Sequence, residues 1–262
     1  MLRKVVSSPR NSGSGATHQC SACRRRWWER LKACLFDIMQ VIIPETCCHC
    51  GTPLQGDERS VCVACMAHLP YTRNAVVVEN ATERCFAGFL PIKAAASLLY
   101  FDSISASRSI IHEIKYRGNE SLAFEMGVML GRELSDAGRF SDVDAVLPVP
   151  LHKRRLRRRG YNQSELIAQG VASVLKVNVL SGVVDRVGHT NTQTQLDREQ
   201  RFENMQGVFA VTNPLALSGL HVLIVDDVIT TGATVASCAA AVFAVGGVNI
   251  SVASLALAVS SH

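Results

Sequence analysis

Short apolar runs alternate with amphipathic stretches through most of this chain. The runs are rich in valine, leucine and alanine, and their lengths are typical of strands buried in a sheet. We expect strands at 94–101, 143–149, 207–211, 222–225 and 248–257. Between the runs, apolar residues recur at three- and four-residue intervals, as at Leu122, Met126 and Leu130, which predicts helices. The alternation predicts an α/β fold in which a mainly parallel sheet is flanked by helices.

The first 90 residues depart from this pattern. Residues 1–30 are rich in Ser, Gly and Arg without an apolar period, so we expect a disordered tail. Apolar residues three and four positions apart in 31–43 predict an amphipathic helix, which Pro44 ends. The predicted division is a tail at 1–30, a helix and metal module at 31–72, a linker at 73–90 and an α/β domain at 91–262.

Composition and the amino-terminal residues predict where the protein works. Hydrophobic residues make up 48% of the chain and charged residues 19%, and no apolar run is long enough to cross a bilayer. The first residues, M-L-R-K-V-V-S-S-P, lack the apolar core of a secretion signal. We therefore expect a cytoplasmic protein, in which metal binding is favoured over disulfides.

Two C-x-x-C pairs lie close together near the amino terminus. Their cysteines are Cys47, Cys50, Cys62 and Cys65. Each pair places two thiolates on one side of a metal ion and a second pair completes a tetrahedron, so the spacing predicts a structural Zn²⁺ site. A redox-active pair is the alternative, and Cys48 and His49 are further candidate ligands. Cys20 and Cys23 form a third pair without a second half, which we interpret as a chance occurrence.

The stretch V-L-I-V-D-D-V-I-T-T-G-A-T at 222–234 combines a strand, two carboxylates and a turn before a helix. Unpaired amides at a helix start attract anions, and Gly232 permits close approach of a phosphate. Asp226 and Asp227 would repel that phosphate and suit sugar hydroxyls. The stretch resembles the 5-phosphoribosyl-1-pyrophosphate (PRPP) motif of type I phosphoribosyltransferases. The alternative is an ordinary turn whose Asp and Thr residues cap the helix.

A strongly basic segment follows the strand at 143–149. Its cations are Lys153, Arg154, Arg155, Arg157, Arg158 and Arg159. Such a run is often a solvated face, but ligands bind at the carboxyl ends of strands in open α/β sheets. We therefore expect this segment to meet pyrophosphate or a nucleic-acid backbone. Asn162 is predicted to begin the next helix, with Glu165 completing a capping box.

The combination of motifs resembles the ComF family of zinc-module, phosphoribosyltransferase-like proteins linked to competence and DNA uptake. The C-x-x-C pairs, P-V-P-L-H, K-R-R-L-R-R-R-G-Y-N-Q-S and V-D-D-V-I-T-T-G-A-T occur in that order, and the resemblance covers about residues 40–258. It implies a type I phosphoribosyltransferase fold with three loops. The first, at 148–161, would meet pyrophosphate. The second, at 190–201, would be a lid carrying Arg198 and Arg201.

The third implied loop would hold PRPP with Mg²⁺. Asp226 and Asp227 would orient the ribose during catalysis, and the resemblance implies that the following residues bind PRPP: Val228, Ile229, Thr230, Thr231, Gly232, Ala233 and Thr234. The long arginine insertion in the first loop departs from the short, glycine-containing form of many transferases. That departure leaves room for a nucleic-acid role.

Two functions follow as hypotheses. One is phosphoribosyl transfer from PRPP with release of pyrophosphate. The other is non-catalytic binding of single-stranded DNA during uptake, in which the basic segment contacts phosphates, Tyr161 stacks on a base and a motor protein is the partner. A purely structural adaptor is a third possibility, and it would make the aspartate-threonine turn vestigial.

Overall fold

The computed structural model describes residues 45–102, 104–188 and 207–258. The predicted tail, the helix at 31–43, Cys20, Cys23 and the lid with Arg198 and Arg201 lie outside these residues. From Thr46 onward the described residues belong to one unit. No helix within the described ranges is both long and apolar enough to cross a membrane.

Five parallel strands form the central sheet, in the order β1-β7-β6-β2-β3. They are β1 (Ala95–Phe101), β2 (Ala145–Pro148), β3 (Asn178–Val179), β6 (His221–Ile229) and β7 (Asn249–Ala258). A separate antiparallel pair is formed by β4 (Val184–Arg186) and β5 (Phe209–Val211). The strand predicted near 207–211 therefore exists but lies outside the main sheet.

Helices cover both faces of the sheet, as the alternating pattern predicts. They are α1 (Val63–Ala67), α2 (Ala81–Arg84), α3 (Ala106–His112), α4 (Glu120–Ala137), α5 (Lys153–Arg159), α6 (Gln163–Leu175) and α7 (Ala233–Phe243), with a π-helix at Glu113–Arg117 and a 3₁₀ turn at Pro214–Ala216. Leu223 and Val225 of β6 point into the core with α4 and α6. Val222 and Ile224 point into the core with α7, because side chains alternate along a strand.

The segment predicted to be a linker packs on the domain. Within 73–90, α2 begins at the N-cap Asn80, whose Oδ1 accepts hydrogen bonds from the amides of Thr82 and Glu83 at 2.8 and 3.0 Å. Asn80 Nδ2 donates to the carbonyl of Ala95 in β1 at 2.7 Å. Phe86 is 1% exposed. These contacts attach the segment to the first strand of the sheet.

Three local predictions differ from the structure. The basic segment is a helix, α5, closed by Gly160 in the left-handed region. Asn162 does precede α6, but its side chain caps no amide and Glu165 instead accepts a hydrogen bond from Ser181, so the predicted capping box is wrong. β6 continues through both aspartates to Ile229 rather than ending at Val225.

Candidate functional site

The two aspartates lie where β6 extends beyond its neighbour β2. The last pairing of β2 joins Pro148 to Val225, whereas β7 continues alongside β6 to Ile229. The Asp226 side chain contacts Ser164 of α6, and the Asp227 side chain contacts Lys115 of the π-helix. The carboxylates therefore stand at the carboxyl edge of the sheet, the position that the alternating βα pattern predicts for a ligand site.

Asp226 is partly buried and holds its proton tightly. Its Oδ1 accepts hydrogen bonds from Ser164 Oγ at 2.9 Å and from the amide of Asp227 at 2.9 Å. Burial, followed by the negative charge of Asp227, raises the pKa of Asp226 to about 7. A carboxyl such as that of Asp226, whose pKa lies near neutrality, is poised to exchange its proton for a cation or a hydroxyl donor.

Asp227 forms an ion pair with Lys115. Lys115 Nζ lies 3.0 Å from Asp227 Oδ1, and the two side chains are 22% and 12% exposed. Lys115 belongs to the π-helix, a geometry that often occurs at functional sites. No local sequence pattern around Lys115 indicates this distant partner.

Arg186 of β4 is a second cation near the acid pair. Burial, together with the positive charge of Arg155, lowers the pKa of Arg186, while the charge of Asp226 opposes that change. Its guanidinium carbon lies 5.4 Å from the centroid of the Phe209 ring of β5. The β4–β5 pair thus carries a positive charge toward the site. The sequence patterns do not indicate Arg186 or Ser164 as site residues, because the positions of both depend on contacts between distant segments.

The turn after β6 leads directly into α7. Gly232 is the N-cap and adopts φ 80°, so neither aspartate caps the helix. A Cβ atom at this position would lie 3.2 Å from the carbonyl oxygen of Cys85, which explains the requirement for glycine. Thr230 is exposed, and Thr231 and Thr234 are half-buried. The turn predicted to bind phosphate therefore lies at the start of an 11-residue helix.

The basic helix α5 presents its cations to solvent. Residues 153–158 are all exposed, and none of the ion pairs found among the described residues includes any of them. Arg159 instead donates from Nη1 to Gln163 Oε1 at 2.9 Å. Tyr161 is half-buried and its hydroxyl donates to the carbonyl of Ile114 in the π-helix. Tyr161 therefore joins two elements of the site.

The four cysteines predicted to bind a metal come together. The sulfur atoms of Cys47, Cys50, Cys62 and Cys65 all lie within 4.8 Å of one another, and four thiols at this spacing suit tetrahedral Zn²⁺.

The surroundings of Cys48 and His49 differ from those of the four clustered cysteines. The Thr52 hydroxyl and amide lower the pKa of Cys50 to about 6, which favours the thiolate. Cys48 is outside the cluster, and burial raises its pKa to about 12. His49 faces Ser109, with 3.2 Å between Nδ1 and Oγ. Neither belongs to the ligand set.

A groove of about 650 Å³ flanks the cysteine cluster and is lined by residues of the module and of α3. It lies away from the aspartate pair. Ser164, Lys115 and the two aspartates converge outside this groove.

The chain was compared with protein-family models and with solved structures. No family model matches it. A crystal structure of adenine phosphoribosyltransferase shares 20% identity and covers 53% of this chain and 71% of its own, but the TM-score of 0.29 is too low to support an argument.

Sequence relatives are more informative. DNA utilization protein YhgH of Salmonella typhi is 30% identical over 236 residues, covering 89% of this chain and 87% of the relative. The protein of the same name from Escherichia coli (strain K12) is 36% identical over 133 residues, 50% of this chain and 58% of the relative. Competence protein F of Haemophilus influenzae is 29% identical over 192 residues, 72% of this chain and 74% of the relative. Because the first match spans most of both chains, this protein belongs to the ComF family, which includes DNA utilization protein YhgH and competence protein F.

Proposed function

We propose that this protein binds PRPP at the carboxyl edge of β6 and transfers its phosphoribosyl group. The observation that carries the proposal is the juxtaposition of a partly buried acid pair with a glycine turn at a helix start. A ligand with both an anionic group and several hydroxyls would place the anion at the turn and the hydroxyls at the acid pair. PRPP carries a 5-phosphate and ribose hydroxyls on one molecule.

Each part of the site has a role in this proposal. The turn from Thr230 to Thr234 receives the 5-phosphate through the first amides of α7 and the threonine hydroxyls. Asp226 and Asp227 accept hydrogen bonds from the ribose hydroxyls and fix the ring. Lys115, now paired with Asp227, is near enough to turn toward an arriving anion.

The reaction would be a displacement at C1 of the ribose. A bond forms from the acceptor to C1 while the bond from C1 to the pyrophosphate oxygen breaks, and pyrophosphate leaves with the electron pair. Cations close to the leaving group lower this barrier because they stabilise the charge that develops on it. Arg186 and Lys115 are the candidates among the described residues, and Arg198 and Arg201 remain candidates from the predicted lid.

Two metals are part of the proposal. Carboxylate oxygens suit Mg²⁺. The acid pair fits this ion because Asp227 already binds one positive charge, the ammonium group of Lys115, whose Nζ lies 3.0 Å from Asp227 Oδ1. When bound, Mg²⁺ supplies charge neutralisation of the diphosphate. The cysteine cluster would hold Zn²⁺ with a structural role, since four thiolates leave no open position. We also propose that the protein acts in the cytoplasm.

Calorimetry with Mg-PRPP tests this proposal directly. Asp226→Asn and Asp227→Asn preserve shape and remove charge, so we expect each to weaken binding at least about tenfold, the loss of one charge-assisted hydrogen bond. Asp136→Asn, at an exposed position of α4, is the matched control and should bind as wild type does. Absence of heat with wild-type protein, or equal affinity in all variants, would exclude the proposed site.

A second function is favoured by the exposed cations of α5 at residues 153–158. We propose that this helix binds the backbone of single-stranded DNA, in keeping with relatives named for DNA utilization and competence. Backbone binding releases counterions, so affinity should fall steeply as salt rises. A DNA-uptake motor protein is the candidate partner for this role.

Charge reversal distinguishes the two functions. Arg157→Glu with Arg158→Glu should abolish DNA binding while leaving PRPP binding intact. Arg132→Glu with Lys176→Glu, both exposed and outside α5, provides a control of equal charge change. Normal DNA binding by the first double variant at moderate salt would contradict the role of α5.

A further inference from the structure

One exposed aromatic side chain beside the basic helix has no part in the sites described above. Tyr116 of the π-helix is 61% exposed. Large aromatic side chains gain free energy from burial, so exposure to this extent leaves apolar area available to a partner. The ring lies on the same element as Lys115, which pairs with Asp227 at 3.0 Å. Tyr116 itself takes no part in that ion pair.

Two neighbours hold the Tyr116 ring in place. The His112 ring lies one helical turn earlier, with 5.1 Å between centroids and 45° between planes. The Arg159 guanidinium carbon lies 5.4 Å from the Tyr116 centroid, within cation–π range. A ring supported from two sides loses little conformational entropy when a ligand covers its remaining surface.

The ring is also fixed relative to the cations of α5. Arg159 is the last residue of that helix, and its Nη1 is anchored on Gln163 at the start of α6. The Tyr161 hydroxyl donates to the Ile114 carbonyl, two residues before Tyr116. These contacts join the π-helix to the segment that carries the exposed arginines. A strand whose phosphates follow α5 would therefore pass a fixed aromatic surface.

We propose that Tyr116, supported by His112 and Arg159, is a stacking platform for a base of single-stranded DNA whose backbone lies on α5. This proposal rests on the second proposed function. Single-stranded DNA is bound by cationic surfaces interleaved with aromatic rings, because every base presents a π-face while the backbone is neutralised nearby. Duplex DNA offers no free base faces, so the platform selects the single-stranded form.

Binding to intact and abasic oligonucleotides tests the platform. Tyr116→Ala should weaken binding of a single-stranded oligonucleotide by about 5- to 100-fold, as expected for one stacked base. The same variant should bind an abasic oligonucleotide of equal length as wild type does, because phosphate contacts remain. Tyr116→Phe keeps the ring and should restore binding, and Tyr100→Ala, which removes another exposed tyrosine, is the matched control.

Crosslinking provides a measurement that needs no variant. An oligonucleotide with 5-iododeoxyuridine, irradiated on wild-type protein, should attach to Tyr116 or His112, as identified by mass spectrometry of peptides. Unchanged affinity of Tyr116→Ala, equal losses on intact and abasic DNA, or crosslinks confined to other residues would overturn the platform. Failure of wild-type protein to bind any single-stranded DNA would instead refute the proposed function of α5.

Discussion

Asp226 and Asp227 show how two identical side chains acquire different properties on adjacent positions of a strand. Asp227 faces Lys115 and forms an ion pair at 3.0 Å. Asp226 instead accepts a hydrogen bond from Ser164, and burial and its neighbour's charge raise its pKa to about 7. At neutral pH the pair therefore carries less than two full negative charges, and a ligand that neutralises Asp226 relieves an existing electrostatic cost.

The raised pKa of Asp226 predicts a pH-dependent stability. Its carboxyl binds a proton more tightly in the folded protein than in the unfolded chain, where its pKa is about 3.9. Its contribution is therefore fully present below about pH 4 and is lost as pH rises through about 7, by at most about 4 kcal/mol. Asp226→Asn cannot ionise and can accept the same hydrogen bonds. Its free energy of unfolding should exceed that of wild type at pH 8 and approach it at pH 4.

Urea denaturation at pH 4, 6 and 8 checks this prediction. Asp136→Asn, which removes an exposed carboxylate, controls for the loss of one charge elsewhere. Parallel pH profiles for wild type and Asp226→Asn would show that the carboxyl titrates normally.

Gly232 is a residue at which backbone conformation and crowding act together. It has φ 80°, and an added Cβ would lie 3.2 Å from the Cys85 carbonyl oxygen and 3.3 Å from the Phe86 ring. Gly232→Ala should destabilise the protein by about 1–3 kcal/mol and weaken Mg-PRPP binding. Gly219 has φ 77° with nothing within 4 Å of its Cβ position. Gly219→Ala therefore introduces backbone strain without crowding, and comparing the two variants by thermal melting separates these two costs. Calorimetry then measures Mg-PRPP binding, and equal effects of both variants on PRPP affinity would contradict a specific role for Gly232.

At the scale of elements, the two ends of β6 carry polar clusters of different character. At the amino end, His221 Nδ1 lies 3.0 Å from Asp142 Oδ1, and its Nε2 lies 2.8 Å from Ser251 Oγ. This connectivity matches that of a hydrolytic triad. Ser251, however, is fully buried, so no substrate can reach its hydroxyl. The amino-end cluster is therefore structural.

The packing of α4 against α6 depends on glycine. A Cβ on Gly170 would lie 2.3 Å from the Phe124 carbonyl oxygen and 2.7 Å from the Val128 amide nitrogen, both backbone atoms. Alanine has a better helix propensity by about 1 kcal/mol, but the helices would have to move apart. We expect Gly170→Ala to destabilise the protein by about 3 kcal/mol or more, because overpacking in a core commonly costs 1–3 kcal/mol and here backbone would shift.

A graded series of variants gives this prediction its measurement. At Gly131 the nearest atom to an added Cβ is a side-chain carbon of Val174, at 3.0 Å, so Gly131→Ala should cost less than Gly170→Ala in urea denaturation. Ser173→Ala, at an exposed position of α6, should be nearly neutral. A stabilised Gly170→Ala variant would contradict the close approach of the helices.

At the scale of the whole molecule, the cysteine module shares a core with the α/β domain. Cys47, Val61, Cys62 and Leu69 are buried in the same cluster as Leu99 of β1. Side chains also meet across the junction, as where Asn119 Nδ2 donates to Ser60 Oγ at 2.7 Å. The module thus contributes to the stability of the sheet as well as to its own.

Removal of zinc should therefore affect the entire unit. Metal binding contributes folding free energy to a small module, and here the loss extends into the shared core. Chelation, or Cys47→Ser, should lower the Tm measured by calorimetry in a single transition. Cys48→Ala lies outside the ligand cluster and should retain one zinc per chain by elemental analysis. An unchanged main transition after metal loss would indicate independent folding of the module.

The sequence by itself determined the alternating strands and helices, the cluster of four cysteines and the acid-glycine turn, because each depends on the local spacing of particular residue types. Only the tertiary structure brought Lys115 to Asp227, Ser164 to Asp226 and Arg186 to the same edge. Those contacts join segments separated by tens of residues, and no local pattern specifies which distant side chain will satisfy a buried charge. The segment at 73–90 departs from the predicted linker for the same reason, since polar residues such as Asn74 and Asn80 pair with β1.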